Sequence, residues 1–389
     1  MEKDPSVARF LGLNNVDDPL NLGLEWLTTA NNIVVTDAGR IKVRDGYAEP
    51  TGGVITGAYG TLDHRRAYFV DDGALKAIDG PTLATGLASA RMHWAEVNDW
   101  VYYCNGIDTG IISADNTRLP LTWPVPTEPA LAAVAGTLDQ GQYQVVCTFL
   151  MDDGRETGAG PVAIIDLAED QALQISSIPQ ASGCVARVYI KPANSTVFGL
   201  AYEGYQTARL WDYPPESLGV DMLTDDLDPI PAGADVIQIW RGRLYAAQYM
   251  SGDDMTALWF SQPLGHHLFN LQSDFLAITG RVLFMAPHDG GLVIGTDQAI
   301  HVWDGESLST LAEFGTVPGC AWSVDDSRPG KPVYFWTTRG MCRFPEFANL
   351  TEQVSVAPGL EVGAAVMHVG GQRRFVAALH SGGSAFNDR

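Results

Sequence analysis

The sequence predicts an all-β chain: a β-propeller of about six blades with a β-sandwich inserted into it. The first reason is a phrase that recurs six times, an apolar strand rich in aromatic and β-branched residues, then a polar turn and a second strand. A repeated unit of three or four short strands is typical of a propeller. The second reason is turn chemistry, because the 389 residues contain 41 Gly and six Asp-Gly dipeptides, which favour tight hairpin turns.

The spacing of the phrase predicts where the blades lie. Its middle strands start near residues 67, 100, 244, 292, 333 and 374, and the last three intervals are 48, 41 and 41 residues long. Blades of four strands take roughly 40–50 residues each. The copies read AYFVDDGALKAID, WVYYCNGIDTGIIS, LYAAQYMSGDDMTALWFS, LVIGTDQAIHVWDG, VYFWTTRGMCRF and, in shortened form, RFVAALHSGG.

The long interval between the second and third copies predicts an inserted domain at 125–213. Its strands alternate apolar and polar residues around an Asp153-Gly154 turn, which indicates a small antiparallel sandwich of immunoglobulin-like type. Prolines mark both of its ends, at Pro124, Pro126 and Pro129 and at Pro214 and Pro215. We therefore divide the chain into residues 1–124 with the first blades, the insertion 125–213, and residues 214–389 with the remaining blades.

The last copy of the phrase lacks outer strands, so the N-terminus is expected to supply them. The run from Asn31 to Tyr47 is predicted to form two short strands around Ala38-Gly39. Closing a ring with strands from both ends removes sheet edges that would otherwise be exposed. We therefore expect Ile33 to Val43 to pair in the blade that holds Val366 to Leu379.

Composition excludes several classes of function. The net charge of −22 argues against a surface that grips nucleic acid, which would be basic; it is compatible with a channel through which DNA slides, or with a charge that only maintains solubility. The start MEKDPSVARF has no apolar segment of a secretory signal, and no apolar run reaches the ~18 residues of a membrane span. Five scattered cysteines without a CxxC pair indicate buried thiols in a reducing cytoplasm.

No group of residues rises above a structural explanation as a catalytic or metal site. His266-His267 has no third ligand at zinc spacing and is expected in a solvated loop, while His288-Asp289-Gly290 falls where a hairpin turn is needed. Of the six Asp-Asp pairs, those at 71, 152 and 253 lie in predicted turns, although paired carboxylates could also serve a glycosidase. The acidic run from Asp221 to Pro229 could bind calcium, but it lacks the Gly and the closing Glu of an EF-hand loop.

The tryptophans permit two interpretations. Five of them fall in predicted blade strands, where packing between blades explains them and a sugar-stacking face is the alternative. They are Trp240, Trp259, Trp303, Trp322 and Trp336. Each candidate histidine, aspartate and tryptophan thus has a structural explanation. We therefore predict that the protein is not an enzyme, that it has no catalytic, cofactor-binding or metal-binding residues, and that it uses no cofactor.

The N-terminal sequence resembles that of a family of tailed-phage virion proteins. That family begins F-x-G-x-N-N, continues with A-x-N-[IV], and then shows D-x-x-G-[RK]-[IL]-x-x-R-x-G-[YF]. The matching residues here are Phe10, Gly12, Asn14, Asn15, Ala30, Asn32, Ile33, Asp37, Gly39, Arg40, Ile41, Arg44, Gly46 and Tyr47. The segment YQVVCTFLMDDGRETGAGP of the insertion is similar to fibronectin-III-like modules of phage tail proteins. The blade sequence LYAAQY…LWFSQP…FN is similar to phage propellers.

The resemblance implies a structural virion protein close to the tail nozzle or hub proteins of short-tailed phages. Such proteins stabilise the head-to-tail junction as rings, commonly sixfold, around the DNA exit channel, and the family brings no catalytic residues. The expected partners are other copies in a hexamer, the portal adaptor or connector proteins, and tail fibre or spike proteins. DNA would pass without specific binding, no membrane would be involved, and the virion tail would assemble in the bacterial cytoplasm. The alternative is a propeller that binds or cleaves carbohydrate at the host surface.

Overall fold

The computed structural model describes residues 7–36, 38–44, 55–352, 354–369 and 372–380, and this part of the chain is built from strands. Apart from two three-residue 3-10 turns, Pro19–Asn21 and Pro215–Ser217, the described residues contain no helix. The prediction of an all-β chain made of small antiparallel sheets is therefore confirmed.

Six small sheets, which we number I to VI, account for the repeated phrase. Sheet I contains β5 (Ile55–Gly60), β6 (Ala67–Asp71), β7 (Ala74–Ala77) and β8 (Thr82–Ala84), and sheet II contains β9 (His93–Val97), β10 (Trp100–Cys104), β11 (Thr109–Ile112) and β12 (Arg118–Leu119). Sheet III contains β20 (Val236–Trp240), β21 (Arg243–Met250), β22 (Met255–Gln262), β23 (Gly265–Phe269) and β24 (Phe275–Thr279). Sheet IV contains β25 (Val282–Ala286), β26 (Leu292–Thr296), β27 (Ile300–Trp303) and β28 (Leu308–Ala312). Sheet V contains β30 (Trp322–Val324), β31 (Val333–Thr337), β32 (Gly340–Phe344) and β33 (Ala348–Asn349), and sheet VI contains β29 (Gly319–Cys320), β34 (Glu361–Val369) and β35 (Gln372–His380).

The predicted middle strands lie where the spacing placed them, at β6, β10, β21, β26, β31 and β35. Neighbouring sheets touch through their first strands: β9 contacts β20, β20 contacts β25, β25 contacts β30, and β30 contacts β34. We count β34 as the first strand of sheet VI because β29 supplies only two residues. Sheets I and II meet where the rings of Tyr59 and Trp94 stack at 5.9 Å between centroids. Apart from β29, which precedes sheet V in the chain, the sheets thus follow one another in chain order, each touching the next along its first strand.

Apolar side chains between adjacent sheets form the core. One buried cluster joins sheets I and II through Tyr68, Trp94 and Tyr103, and another joins sheets III and IV through Trp240 and Trp303. Burying each large side chain contributes roughly 1.5–3 kcal/mol. Trp336 is buried in a third cluster, and Trp259 and Trp322 are partly buried against their clusters. Packing, one of the two interpretations, therefore accounts for the blade tryptophans.

The N-terminal strands do not complete sheet VI, so that expectation is wrong for the described residues. The arm contains β1 (Gly12–Leu13), β2 (Trp26–Leu27), β3 (Ile33–Val35) and β4 (Ile41–Val43); β1 pairs with β2, and β3 pairs with β4. The turn joining β3 and β4 satisfies its own backbone, since Thr36 N donates to Arg40 O at 2.8 Å and Gly39 N donates to Thr36 O at 2.7 Å. This short hairpin closes on itself, and sheet VI takes β29 instead.

The inserted strands form two facing sheets. The strands are β13 (Ala130–Leu138), β14 (Gly141–Met151), β15 (Ala163–Leu167), β16 (Gln171–Ser176), β17 (Cys184–Lys191), β18 (Gly199–Gly204) and β19 (Ala208–Trp211). One sheet has the order β13-β16-β19 and the other the order β15-β14-β17-β18. Their inner faces share one buried cluster that includes Tyr143, Val188 and Trp211, and Trp123 and Leu218 pack against it from outside the predicted boundaries. The division of the chain at 125 and 213 stays a prediction.

Candidate functional site

The two adjacent histidines link sheet III to the rest of the chain and do not lie in a solvated loop, which corrects that expectation. They occupy β23, where the Tyr102 hydroxyl and His266 Nδ1 lie 3.1 Å apart and His267 Nε2 is 3.0 Å from the Glu156 carbonyl oxygen. Burial lowers the pKa of both imidazoles. His267 therefore attaches the loop after β14 to sheet III, a structural role that the dipeptide alone does not reveal.

The other histidine candidate has the turn geometry that its sequence predicted. His288 lies between β25 and β26, where its Nδ1 accepts a hydrogen bond from Gly290 N at 2.9 Å. Its Nε2 lies 2.7 Å from the Gly330 carbonyl oxygen. Both ring nitrogens thus hold loops together, and neither is directed at a reacting group.

The acidic candidates remain dispersed. Asp72 and Asp254 lie at left-handed turn positions with φ of 48° and 50°, the conformation that hairpin turns use. In the run after Asp221, burial raises the pKa of Asp225 and Asp228, and the Asp226 carboxylate adds to both shifts. Across the described ranges no three His, Cys, Asp or Glu side chains come together in a way that could hold a metal ion.

The described thiols are buried, as predicted. Cys104, Cys147, Cys184 and Cys342 are all free and buried, and burial raises the pKa of Cys147 to about 12 and that of Cys342 to about 11. Within the same described ranges, no helix is long and apolar enough to cross a membrane.

One polar cluster that the sequence did not reveal lies where the first strands begin. Arg281 Nη2 binds Asp235 Oδ2 at 2.6 Å, just before β25 and β20, and Arg91 Nη2 binds Glu361 Oε1 at 2.7 Å across sheets II and VI. Burial and the charges of Arg91 and Arg281 lower the pKa of His93, the first residue of β9, to about 3. Asp235 and Arg281 directly precede a first strand, His93 and Glu361 begin one, and Arg91 lies two residues before β9. An alignment of the repeats therefore places these residues at similar positions.

A second feature, after the polar cluster, is the N-terminal arm, which we define as residues 7–44 without 37. Residues of the N-terminal motif form the contacts that shape it. Asn14 is buried, and its Oδ1 accepts hydrogen bonds from Val16 N and Asp17 N at 3.3 and 3.2 Å. Asn15 exchanges two hydrogen bonds with the backbone of Ser355, at 2.9 and 2.7 Å. Gly39 has φ of +70°, and a Cβ there would lie 1.9 Å from Cγ of Arg9. The motif therefore specifies the shape of the arm and its attachment to Ser355, in the loop between β33 and β34.

The arm exposes six of its large apolar side chains to solvent. Leu20 is 91% exposed and Leu24 is 62% exposed. The other exposed apolar residues of the arm are Leu11, Val16, Ile41 and Val43. A segment of defined geometry that exposes a series of large apolar side chains has the character of a protein–protein contact.

Comparisons with known proteins give no family. No protein-family model matches the chain, and no curated protein matches it. Among solved structures, it is similar to a functionally unknown protein from Desulfotomaculum acetoxidans, with 10% identity over 85% of this chain and 90% of that one and a TM-score of 0.33. It is also similar to the extracellular domain of a putative hybrid two-component system from B. thetaiotaomicron, with 9% identity over 86% of this chain and 37% of that one and a TM-score of 0.34. The WD40 repeats of RRP9 match at 13% identity over 74% and 88% of the two chains with a TM-score of 0.25. These scores are too low to carry a conclusion about this chain.

Proposed function

We propose that this protein is a structural component of a phage tail that assembles as a ring, a nozzle or head-to-tail hub around the DNA exit channel. The single observation that carries the proposal is the N-terminal arm. Its polar and glycine residues specify its shape, yet Leu20 and Leu24 are exposed. Asn14, Asn15 and Gly39, which shape the arm, belong to the motif that resembles phage virion proteins.

The arrangement of sheets I to VI supports a closed propeller as the body of each copy. Successive first strands contact each other, and the Arg91–Glu361 ion pair joins the second sheet to the sixth. The insertion, with its three-stranded and four-stranded sheets, suits a fibronectin-III-like module that projects from the propeller. We propose these finer assignments together with the ring.

The carbohydrate-cleaving alternative has a defined place where it can be tested. Of the carboxylates at the start of the first strands, Asp235 has a pKa that burial raises, although Arg281 opposes the shift. A glycosidase pairs such an acid with a second carboxylate. Here Arg281 and Arg91 already bind Asp235 and Glu361 at 2.6 and 2.7 Å, which favours a structural role for both acids.

The test of the proposal is the position of the protein in the particle. A density map of the tail should show it as a closed ring on the tail axis, with the arm against another protein. Isolated copies on the capsid surface or at fibre tips would end the nozzle proposal in favour of the carbohydrate alternative.

A paired substitution tests the arm itself. Leu20→Glu with Leu24→Glu should reduce incorporation of the protein into particles, because it places two charges in the proposed contact. Leu62→Glu is the matched control, since Leu62 is 70% exposed in a turn of sheet I. Equal incorporation of both variants would show that the arm is not the contact.

A further inference from the structure

The outer edge of β13 is a strand edge without charged residues or proline. β13 runs for nine residues, Ala130–Leu138, and among the described residues it pairs only with β16. Over residues 130–135 its other edge offers backbone N–H and C=O groups to a further strand. Natural proteins protect such edges with charged side chains, proline or β-bulges. β13 contains no charge and no proline, and its bulge lies at its C-terminal end, between Ala135 and Leu138, where β15 contacts the strand and Thr137 N donates to Asp212 Oδ1 at 2.7 Å.

The other edge strands of the insertion are shorter, and each carries one charged residue. β15 contains Asp166, β18 contains Glu203, and β19 contains Arg209. Arg209 shares the inward register row of Leu131 and Ile175, so the outward side chains of β19 are uncharged. The three strands are five, six and four residues long, against nine for β13. In a chain with a net charge of −22, copies repel each other, so an uncharged edge is where two copies can approach at the lowest electrostatic cost.

The outer face of the three-stranded sheet is also uncharged where its three strands lie side by side. Residues that face each other across β13, β16 and β19 form rows, and two of these rows point outward. Ala133, Leu173 and Trp211 stand opposite one another, and the last two point into the core. The adjacent row, Ala132, Gln174 and Leu210, therefore points outward. The row of Ala130, Ser176 and Ala208 points the same way.

The far edge of this sheet has the opposite shape. Leu210 of β19 is 47% exposed, and β19 lies between Tyr205 at 71% and Tyr213 at 51% exposure. Exposed tyrosines are typical of interfaces. Small alanines on one edge and large apolar side chains on the other are complementary surfaces carried by a single chain.

We infer that β13 of one copy pairs with β19 of a second copy, so that the three-stranded sheets join head to tail. Because the two surfaces differ, the contact is heterologous, and heterologous contacts that close produce a ring. Both strands are antiparallel to β16, so β13 and the neighbouring β19 run in the same direction when the sheets continue. The inference deepens the proposed ring by naming its contact.

A pair of cysteines captures this contact in the full chain. Ala132→Cys and Leu210→Cys are placed together in one chain, which is oxidised at its highest soluble concentration. Within one copy β16 separates the two positions by roughly 9–10 Å, beyond the ~7 Å limit for a disulfide. We expect a ladder of covalent multimers from the double variant and none from either single variant or from the unmodified chain, whose described cysteines are buried.

Two outcomes of this experiment overturn the inference. The first is a double variant that stays monomeric. The second is covalent dimerisation of the Ala132→Cys single variant, which would mean that β13 pairs with itself in a twofold contact.

A mixing experiment tests the head-to-tail order without cysteines. Ala132→Glu removes one surface and Leu210→Glu removes the other, so each variant alone should lose multimers, while their mixture should form a dimer through the one intact contact. Ile164→Glu is the control, because Ile164 is exposed on the other sheet. Rings that persist in Ala132→Glu would refute this contact and leave the ring proposal standing, whereas a protein found off the tail axis would refute the ring proposal itself.

Discussion

His93 offers a measurable test of the cluster at the start of the first strands. Burial, with Arg91 and Arg281 nearby, lowers its pKa from 6.5 to about 3. Between these two values the unfolded chain binds a proton that the folded chain does not. Folding stability should therefore be fully present above pH 6.5 and should fall as the pH drops toward 3.

The magnitude follows from the same shift. The whole transition corresponds to at most about 5 kcal/mol, because each pKa unit is about 1.4 kcal/mol. Between pH 7 and pH 5, the difference in proton binding amounts to about 2 kcal/mol. The other histidines add their own losses, so the quantity to measure is the difference between the wild type and His93→Gln.

The assay is urea unfolding at pH 8, 7, 6 and 5, followed by tryptophan fluorescence. His93→Gln should lose about 2 kcal/mol less than the wild type between pH 7 and pH 5. His64→Gln, in an exposed turn of sheet I, should follow the wild type. If His93→Gln loses stability as steeply as the wild type, the imidazole is not desolvated and the described cluster is wrong.

Three further outcomes are expected. In thermal melts, Glu156→Gln should destabilise the insertion by about 2–4 kcal/mol, because the Glu156 carboxylate accepts hydrogen bonds from Thr148, Tyr189 and Arg187. Glu203→Gln, on the more exposed side of Arg187, is the control and should cost at most about 1 kcal/mol; an equal loss in both variants would contradict the role of Glu156. A fragment of residues 120–224 should show cooperative unfolding and dispersed amide resonances. A fragment of residues 125–213 should be less stable, because it lacks Trp123 and Leu218, which pack on the core of the insertion. Equal stability of the two fragments would mean that the domain lies within residues 125–213. The purified protein should not retard duplex DNA even at low salt, where electrostatic binding is strongest, and retardation would contradict the repulsive lining expected of a chain with a charge of −22.

The repeated phrase determined the middle strands, because alternation of apolar residues and turn chemistry act within a few residues of each other. Trp100–Cys104 and Val333–Thr337 lie where the phrase placed them. The turn at His288 and the burial of Cys147 follow from the same local pattern. These features need no knowledge of what lies across the molecule.

Tertiary structure alone decided which distant groups meet. The hairpin of Ile33–Val35 and Ile41–Val43 was expected to join the last sheet. Among the described residues its two strands pair with each other, and its turn satisfies its own backbone. His266 and His267 look like loop residues until Tyr102 and Glu156 are brought beside them. The sequence alone determined the strands and turns, which depend on short-range chemistry, whereas the cluster around His93 and the free edge of β13 depend on contacts between residues far apart in the chain.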